Sequence, residues 1–333
     1  MGVDSLSRGL VSEEQWTLSG SAHPLAAYLA EAESYACYSG WAAIETSVRA
    51  GKLRTCPPPA TGRGARDSEG ETPLLFIREA QMETLQDLPR RNLEDRLVRH
   101  FSQFYPRECN SADPNEMRRL VGTGLQRAAN YGFLTIDTAA RYINLMIILG
   151  WAFDSDPQLG WARAKLTDYA QPPLERIRAL FQTALDYLGE VAGEKSGKIV
   201  RAMIRIRKHD FLAPWTSTGE EFSAELIALL ERLYPEKAAI QGDEANRMLL
   251  LRASYDATRH GFTGPNGIAV VTCLEFMLGA GFDTDPLYWW AGATLRASKN
   301  DPEQERVARL VERSLKHVEA SLKGLDESDE REE

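Results

Sequence analysis

Cysteine is scarce and scattered. Cys37, Cys56, Cys109 and Cys273 are the only four in 333 residues, and they form no CxxC pair or zinc-ligand spacing. A disulfide framework and a thiolate zinc site are therefore excluded at this level. Histidine is nearly as rare. His23, His100, His209, His260 and His317 show no HExxH spacing, and no G-x-S-x-G nucleophile elbow occurs anywhere. Long apolar runs are missing too. The most hydrophobic stretch, "GIAVVTCLEFMLGAGF" (Gly267 to Phe282), is interrupted by Glu275 and falls short of the roughly 20 apolar residues a bilayer span needs, so it predicts a buried core helix and no membrane span. The N-terminal "MGVDSLSRGLVSEEQW" lacks a basic region followed by an apolar core, so no secretory signal and a cytoplasmic location are expected. Positive charge is in deficit. A net charge of −9 argues against a general nucleic-acid binder, whose affinity rests on a basic surface that releases counterions. "GEKSGKIV" (Gly193 to Val200) resembles a phosphate loop, but its glycines are one residue too close and Ile199 stands where a hydroxyl is required.

What the chain does contain is a repeat. Shifting the sequence against itself by 129 positions aligns "FDSDPQLGW" (Phe153 to Trp161) with "FDTDPLYWW" (Phe282 to Trp290) without a gap. Over positions 101 to 166 the shift gives roughly 19 identities against about four expected by chance, which marks an internal duplication with a period longer than ordinary solenoid repeats. The length suits two domains, and the duplication places them. The expected division is an N-terminal extension and linker over 1–72, copy one over 73–193, a linker over 194–201, copy two over 202–323, and an acidic tail over 324–333. "CPPPATGRGARDSEGETP" (Cys56 to Pro73) has the breakers and polarity of a flexible linker. The basic segment that holds Lys198, Arg201, Arg205 and Lys208 reads as a solvated face.

Within each copy the apolar spacing is helical and the class is all-α, although "MIRIR" (Met203 to Arg207) alternates briefly. "EMRRLVGTGLQRAANYGF" puts Met117, Leu120, Val121, Leu125 and Ala128 on one face, with Gly132 as its stop and Gly261 in the same role in copy two. "TIDTAARYINLMIILG" begins at cap-capable Thr135 or Asp137, turns almost wholly apolar and stops at Gly150, which predicts the central helix. Pro172 and Pro173 open another amphipathic helix, matched by Glu303 to Leu322.

The Asp-x-Asp-Pro turns invite a metal reading. Asp154, Asp156, Asp283 and Asp285 offer oxygens, but the loop glycine and the twelfth-position glutamate of a calcium loop are missing, with Lys165 and Thr294 at the latter place. The favoured reading is a structural corner: Asp156 and Asp285 as N-caps, and Pro157 and Pro286 at the first helical position, where a missing N–H is least costly. No catalytic residue, metal or cofactor is expected. Trp151, Trp161, Tyr288, Trp289 and Trp290 cluster at the corners and are the candidate partner-binding residues, with core packing as the rival account.

Together, "FIREAQMETLQ" (Phe76 to Gln86), "LEDRLVRHFSQFYP" (Leu93 to Pro106), "GLQRAANYGF" (Gly124 to Phe133) and "ARYINLMIILGWAFDSDPQLGWA" (Ala140 to Ala162) resemble a bacterial family of small helical proteins often encoded near PAAR-like spike proteins and toxins of type VI secretion systems. Copy two resembles a diverged second unit, and Pro89 is expected to interrupt the first helix. The resemblance implies a protein partner, a secreted toxin or spike component. The expected function is a non-enzymatic adaptor, chaperone or immunity partner. The alternatives are an enzyme or toxin using the repeated aspartates, with His260 beside them, or a structural assembly component.

Overall fold

The computed structural model describes residues 79–105, 113–193, 196–297 and 300–329; the 1–72 segment of the sequence reading lies outside them. Among the described residues all regular structure is helical: α1 (Glu79–Phe104), α2 (Pro114–Asn130), α3 (Ile136–Leu149), α4 (Gly160–Leu166), α5 (Pro173–Ala192), α6 (Gly197–Lys208), α7 (Gly219–Leu233), α8 (Pro235–Arg259), α9 (Pro265–Leu278), α10 (Trp289–Ala297) and α11 (Glu303–Asp329). Short 3₁₀ turns at Pro157–Leu159 and Pro286–Tyr288 precede α4 and α10. No described helix is long and apolar enough to cross a membrane. α1 continues through Pro89, where an interruption is expected, because a helix of 26 residues retains its other hydrogen bonds around the one donor the ring removes. Within the expected 194–201 linker, helix begins already at Gly197, and "MIRIR" belongs to that helix.

The helix limits repeat with the sequence. α3 and α9 have the same bounds displaced by 129 residues, as do the two 3₁₀ turns. α2 corresponds to the part of α8 beyond Gly242, a kink with φ 79° that takes the place of the N-cap Asp113. Local chemistry sets these limits. Thr135 and Thr138 form a reciprocal capping pair at the start of α3, and Gly132 and Gly261 follow α2 and α8 with φ 78° and 75°. In the last helix the frame moves by one residue. Arg176 of α5 donates to the Tyr131 carbonyl at 2.6 Å, and the residue doing the same for His260 is Arg306 of α11.

The two copies do not stand apart. The main apolar cluster includes Phe101 of α1, Tyr142 and Ile143 of α3, Leu180 of α5, Leu249 of α8, Phe276 of α9 and Leu322 of α11, so it crosses both copies. A second cluster, around Phe262, Phe282, Leu295 and Leu310, belongs to copy two. α3 and α9 supply the centre, since nearly every residue of α3 from Thr138 onward is buried. A helix apolar on every side must be covered on every side, and one copy has too few helices to do so.

Candidate functional site

The repeated corners face each other. Asp156 accepts the Gln158 backbone N–H at 2.9 Å and Asp285 that of Leu287 at 2.8 Å, so each caps the short turn begun by its own proline. Each also reaches into the other copy. Asp156 accepts the N–H of Ala280 at 2.8 Å, and Asp285 accepts that of Trp151, the residue in copy one that corresponds to Ala280. Arginines close the exchange: Arg119 donates to the Thr284 carbonyl and Arg252 to that of Ser155, each at 3.0 Å, and these carbonyls occupy equivalent places. The turn of copy one accordingly packs on α8, and the turn of copy two on α2. Burial pushes Asp285 up to about 7, although the N–H groups of Leu287 and Trp151 and the charges of Arg119 and Arg127 oppose it.

Glycine permits this approach. A β-carbon on Gly150, at φ 109°, would lie 2.9 Å from the Leu278 carbonyl oxygen, and one on Gly279, at φ 91°, would lie 3.2 Å from that of Leu149. Both backbone torsion and close contact thus require glycine at the junction of the copies.

The first aspartate of each pair has a different task. Asp154 accepts the phenolic protons of Tyr142 at 2.7 Å and Tyr131 at 3.2 Å. Burial, then the charge of Asp154 and its hydrogen bonds, raises both phenols, which stay protonated as donors. Asp283 is held instead by Arg259 and His260, both at 2.9 Å. Burial alone would raise Asp283, but the hydrogen bond and charge of His260 and the charge of Arg259 outweigh it and leave the carboxyl below its ordinary range. All four aspartates are engaged by groups of the fold. Among the described residues no group of three or more His, Cys, Asp or Glu could hold a metal ion.

Beside the corners runs a buried polar seam that sequence reading did not assemble. Gln158 donates to the Glu275 carbonyl at 2.8 Å and accepts from Gln241 at 2.9 Å, while Lys237 donates to the Phe276 carbonyl. Burial pushes the Lys237 amine down to about 8 against the opposing charge of Asp156. It pushes Glu275 up to about 9, helped by the hydrogen bond and charge of Asp256, so Glu275 sits in the seam as a neutral acid. A cavity of about 50 Å³ lined by Asp156, Gln158, Tyr187, Tyr234 and Lys237 lies at the same place. The one sequence signal for the seam is Glu275 itself, a charged residue in an otherwise apolar helix, where copy one has Met146.

The aromatic candidates separate. Trp151 is buried, with the Arg127 guanidinium 4.6 Å and that of Arg119 5.7 Å from its ring, and cannot meet a partner. Trp161 packs at a tilt on Tyr187 at 5.6 Å, and Tyr288 and Trp290 both pack on His317 at 5.5 Å, leaving all three half-buried. Of the five, Trp289 is exposed, at 49%. The larger exposed apolar surface lies elsewhere, on α8, where Met248, Leu251 and Tyr255 are 46%, 66% and 71% exposed. Their spacing of three and four residues puts them on one helical face, and Arg247, Arg252 and Arg259 lie beside it. The equivalent positions in copy one are Arg119, Gly122 and Gln126. A sequence scan for anchors at helical spacing over solvent-facing positions would have found this face only once the buried side of α8 was known.

Comparison with known proteins returns nothing. No family model, no curated protein and no solved structure matches the chain.

Proposed function

We propose that this chain is a non-enzymatic interaction protein, acting as adaptor, chaperone or immunity partner for a type VI secretion cargo. The observation that carries the reading is the Met248–Leu251–Tyr255 face of α8. An apolar stripe held in water costs solubility, and a surface of this kind marks a docking site. Copy one keeps the helix and replaces the stripe by arginine, glycine and glutamine, so the fold itself does not demand it. The three-and-four spacing of the stripe fits a partner that presents the apolar face of an amphipathic helix. The repeated aspartates fit this reading: Asp156 caps its own turn and bonds the other copy, while Asp154 and Asp283 are held by side chains of the fold.

The test is co-purification from the encoding bacterium, comparing wild type with a Leu251→Glu, Tyr255→Glu double variant. A type VI spike, effector or toxin is expected with the wild type and at least tenfold depleted with the variant, both retaining the same melting temperature within error. Recovery of no such component overturns the cargo assignment. Concentration-dependent self-association abolished by the same variant would instead make the chain an assembly component.

A further inference from the structure

Copy two contains an apolar cavity. It is bounded by α6, α9, α10 and α11, with Met203, Ile206, Phe211, Cys273, Met277 and Trp290 among its walls, and its enclosed part is about 70 Å³. Its α11 wall is formed by Val311, Ser314, Leu315, His317, Val318 and Ser321. In the one-residue-shifted frame fixed by Arg176 and Arg306, copy one carries Phe181, Ala184, Leu185, Tyr187, Leu188 and Val191 at these places. Four of the six differ in the same direction: Phe181, Tyr187, Leu188 and Val191 are each larger than Val311, His317, Val318 and Ser321. Copy two therefore carries less side-chain volume than copy one along this helix face.

The walls offer little to water. The Ser314 hydroxyl donates to the Leu310 carbonyl at 2.7 Å and that of Ser321 to the His317 carbonyl at 3.0 Å, so both are occupied within the helix. The Cys273 thiol is pushed up to about 12 by burial and stays protonated, and burial lowers His317, which presents a neutral imidazole packed on the rings of Tyr288 and Trp290. Water in a cavity needs two to four polar partners, whereas an apolar cavity without them stays dry and accepts apolar molecules.

We infer that this cavity is a binding site for a small, uncharged, apolar molecule of aromatic or short aliphatic character. The enclosed volume is below the ~150 Å³ that accommodates benzene in an engineered core. The mouth is open, however, and Met203 and Met277 are unbranched side chains that re-pack around a guest. A hydroxyl or carbonyl on the ligand would find two polar groups among the lining residues, the His317 ring and the indole N–H of Trp290, which is buried without a hydrogen-bond partner.

Toluene is the probe for the intact chain. The expected result is a saturable rise in Tm of about 2 °C or more, by preferential binding to the folded state, together with a shift of the His317 ring proton resonances. Val311→Phe and Ser321→Val install the copy-one residues; either one is expected to abolish both responses. A wild type with no saturable response overturns the inference, whether or not the variants fold, and so does a filled variant that responds like the wild type. The docking face on α8 is not involved, so Leu251→Glu is expected to leave the toluene response unchanged.

Discussion

Asp154 and Asp283 hold the same place in the two copies and accept from unlike donors: Tyr131 and Tyr142 in one, Arg259 and His260 in the other. Duplication kept the carboxylate and exchanged its environment. Copy two has His260 at the place of Tyr131 and Val271 at that of Tyr142, and its second donor is Arg259, at the end of α8.

The pairing of Asp283 should therefore be sensitive to acid. Asp283 has its folded pKa depressed, so the stability its ion pairs contribute is present above the ordinary carboxylate value of 3.8 and is lost as pH falls through the lower folded value. Asp283→Asn is expected to lower stability near neutral pH by about 1–3 kcal/mol and to make the acid limb of a denaturation curve shallower below pH 4. Urea melts at pH 7, 4 and 3 test this; a variant that keeps the wild-type acid slope contradicts it.

Glu275 should behave in the opposite sense. In the folded chain it keeps its proton up to about 9, while the unfolded chain releases it near 4.5, so the folded state binds more protons throughout that interval and stability falls as pH rises across it. Glu275→Gln keeps a neutral donor for Asp256 and removes the titration. Its Tm is expected to match that of wild type at pH 5 and to exceed it increasingly toward pH 9.

Asp156 combines a cap and a bond between copies, and substitutions can separate them. Asn retains a carbonyl oxygen for one N–H but offers fewer acceptor sites for both Gln158 and Ala280; Ala loses both bonds. Thermal or urea melts should rank wild type above Asp156→Asn above Asp156→Ala, with the alanine loss about 1–3 kcal/mol. Equal losses for Asn and Ala would show that the bonds do not contribute separately.

Glycine at the junction gives the sharpest stability contrast. Gly150→Ala meets both an unfavourable φ and the Leu278 carbonyl 2.9 Å away, whereas a β-carbon on Gly160, at the start of α4, meets nothing within 4 Å. Gly150→Ala is expected to destabilise by more than about 1 kcal/mol, and Gly160→Ala to be neutral or slightly stabilising. Chemical denaturation of the two single variants decides it.

Local features were legible in the sequence because short-range geometry fixes them. Thr135 at a helix start, glycine at 132 and 150, and the Asp-Pro order at 156 and 157 each specify a backbone event within a few residues, whatever surrounds it. Buried Trp151 and exposed Leu251 were not legible. A tryptophan or leucine at helical spacing suits a core and a docking face equally, and only the packing partner distinguishes them.

The sequence alone determined the all-helical class, the internal repeat and the helix limits beside the repeated turns, since periodicity, caps and a repeated register act along the chain. The tertiary structure decided that the copies share a core, that Asp156 and Asp285 serve each other's copy, that Glu275 is neutral and that copy two is hollow beside His317. Each of these depends on which groups meet across different helices, from Asp256 and Glu275 on neighbouring helices to Asp156 and Ala280 in different copies, and on how much water that meeting excludes.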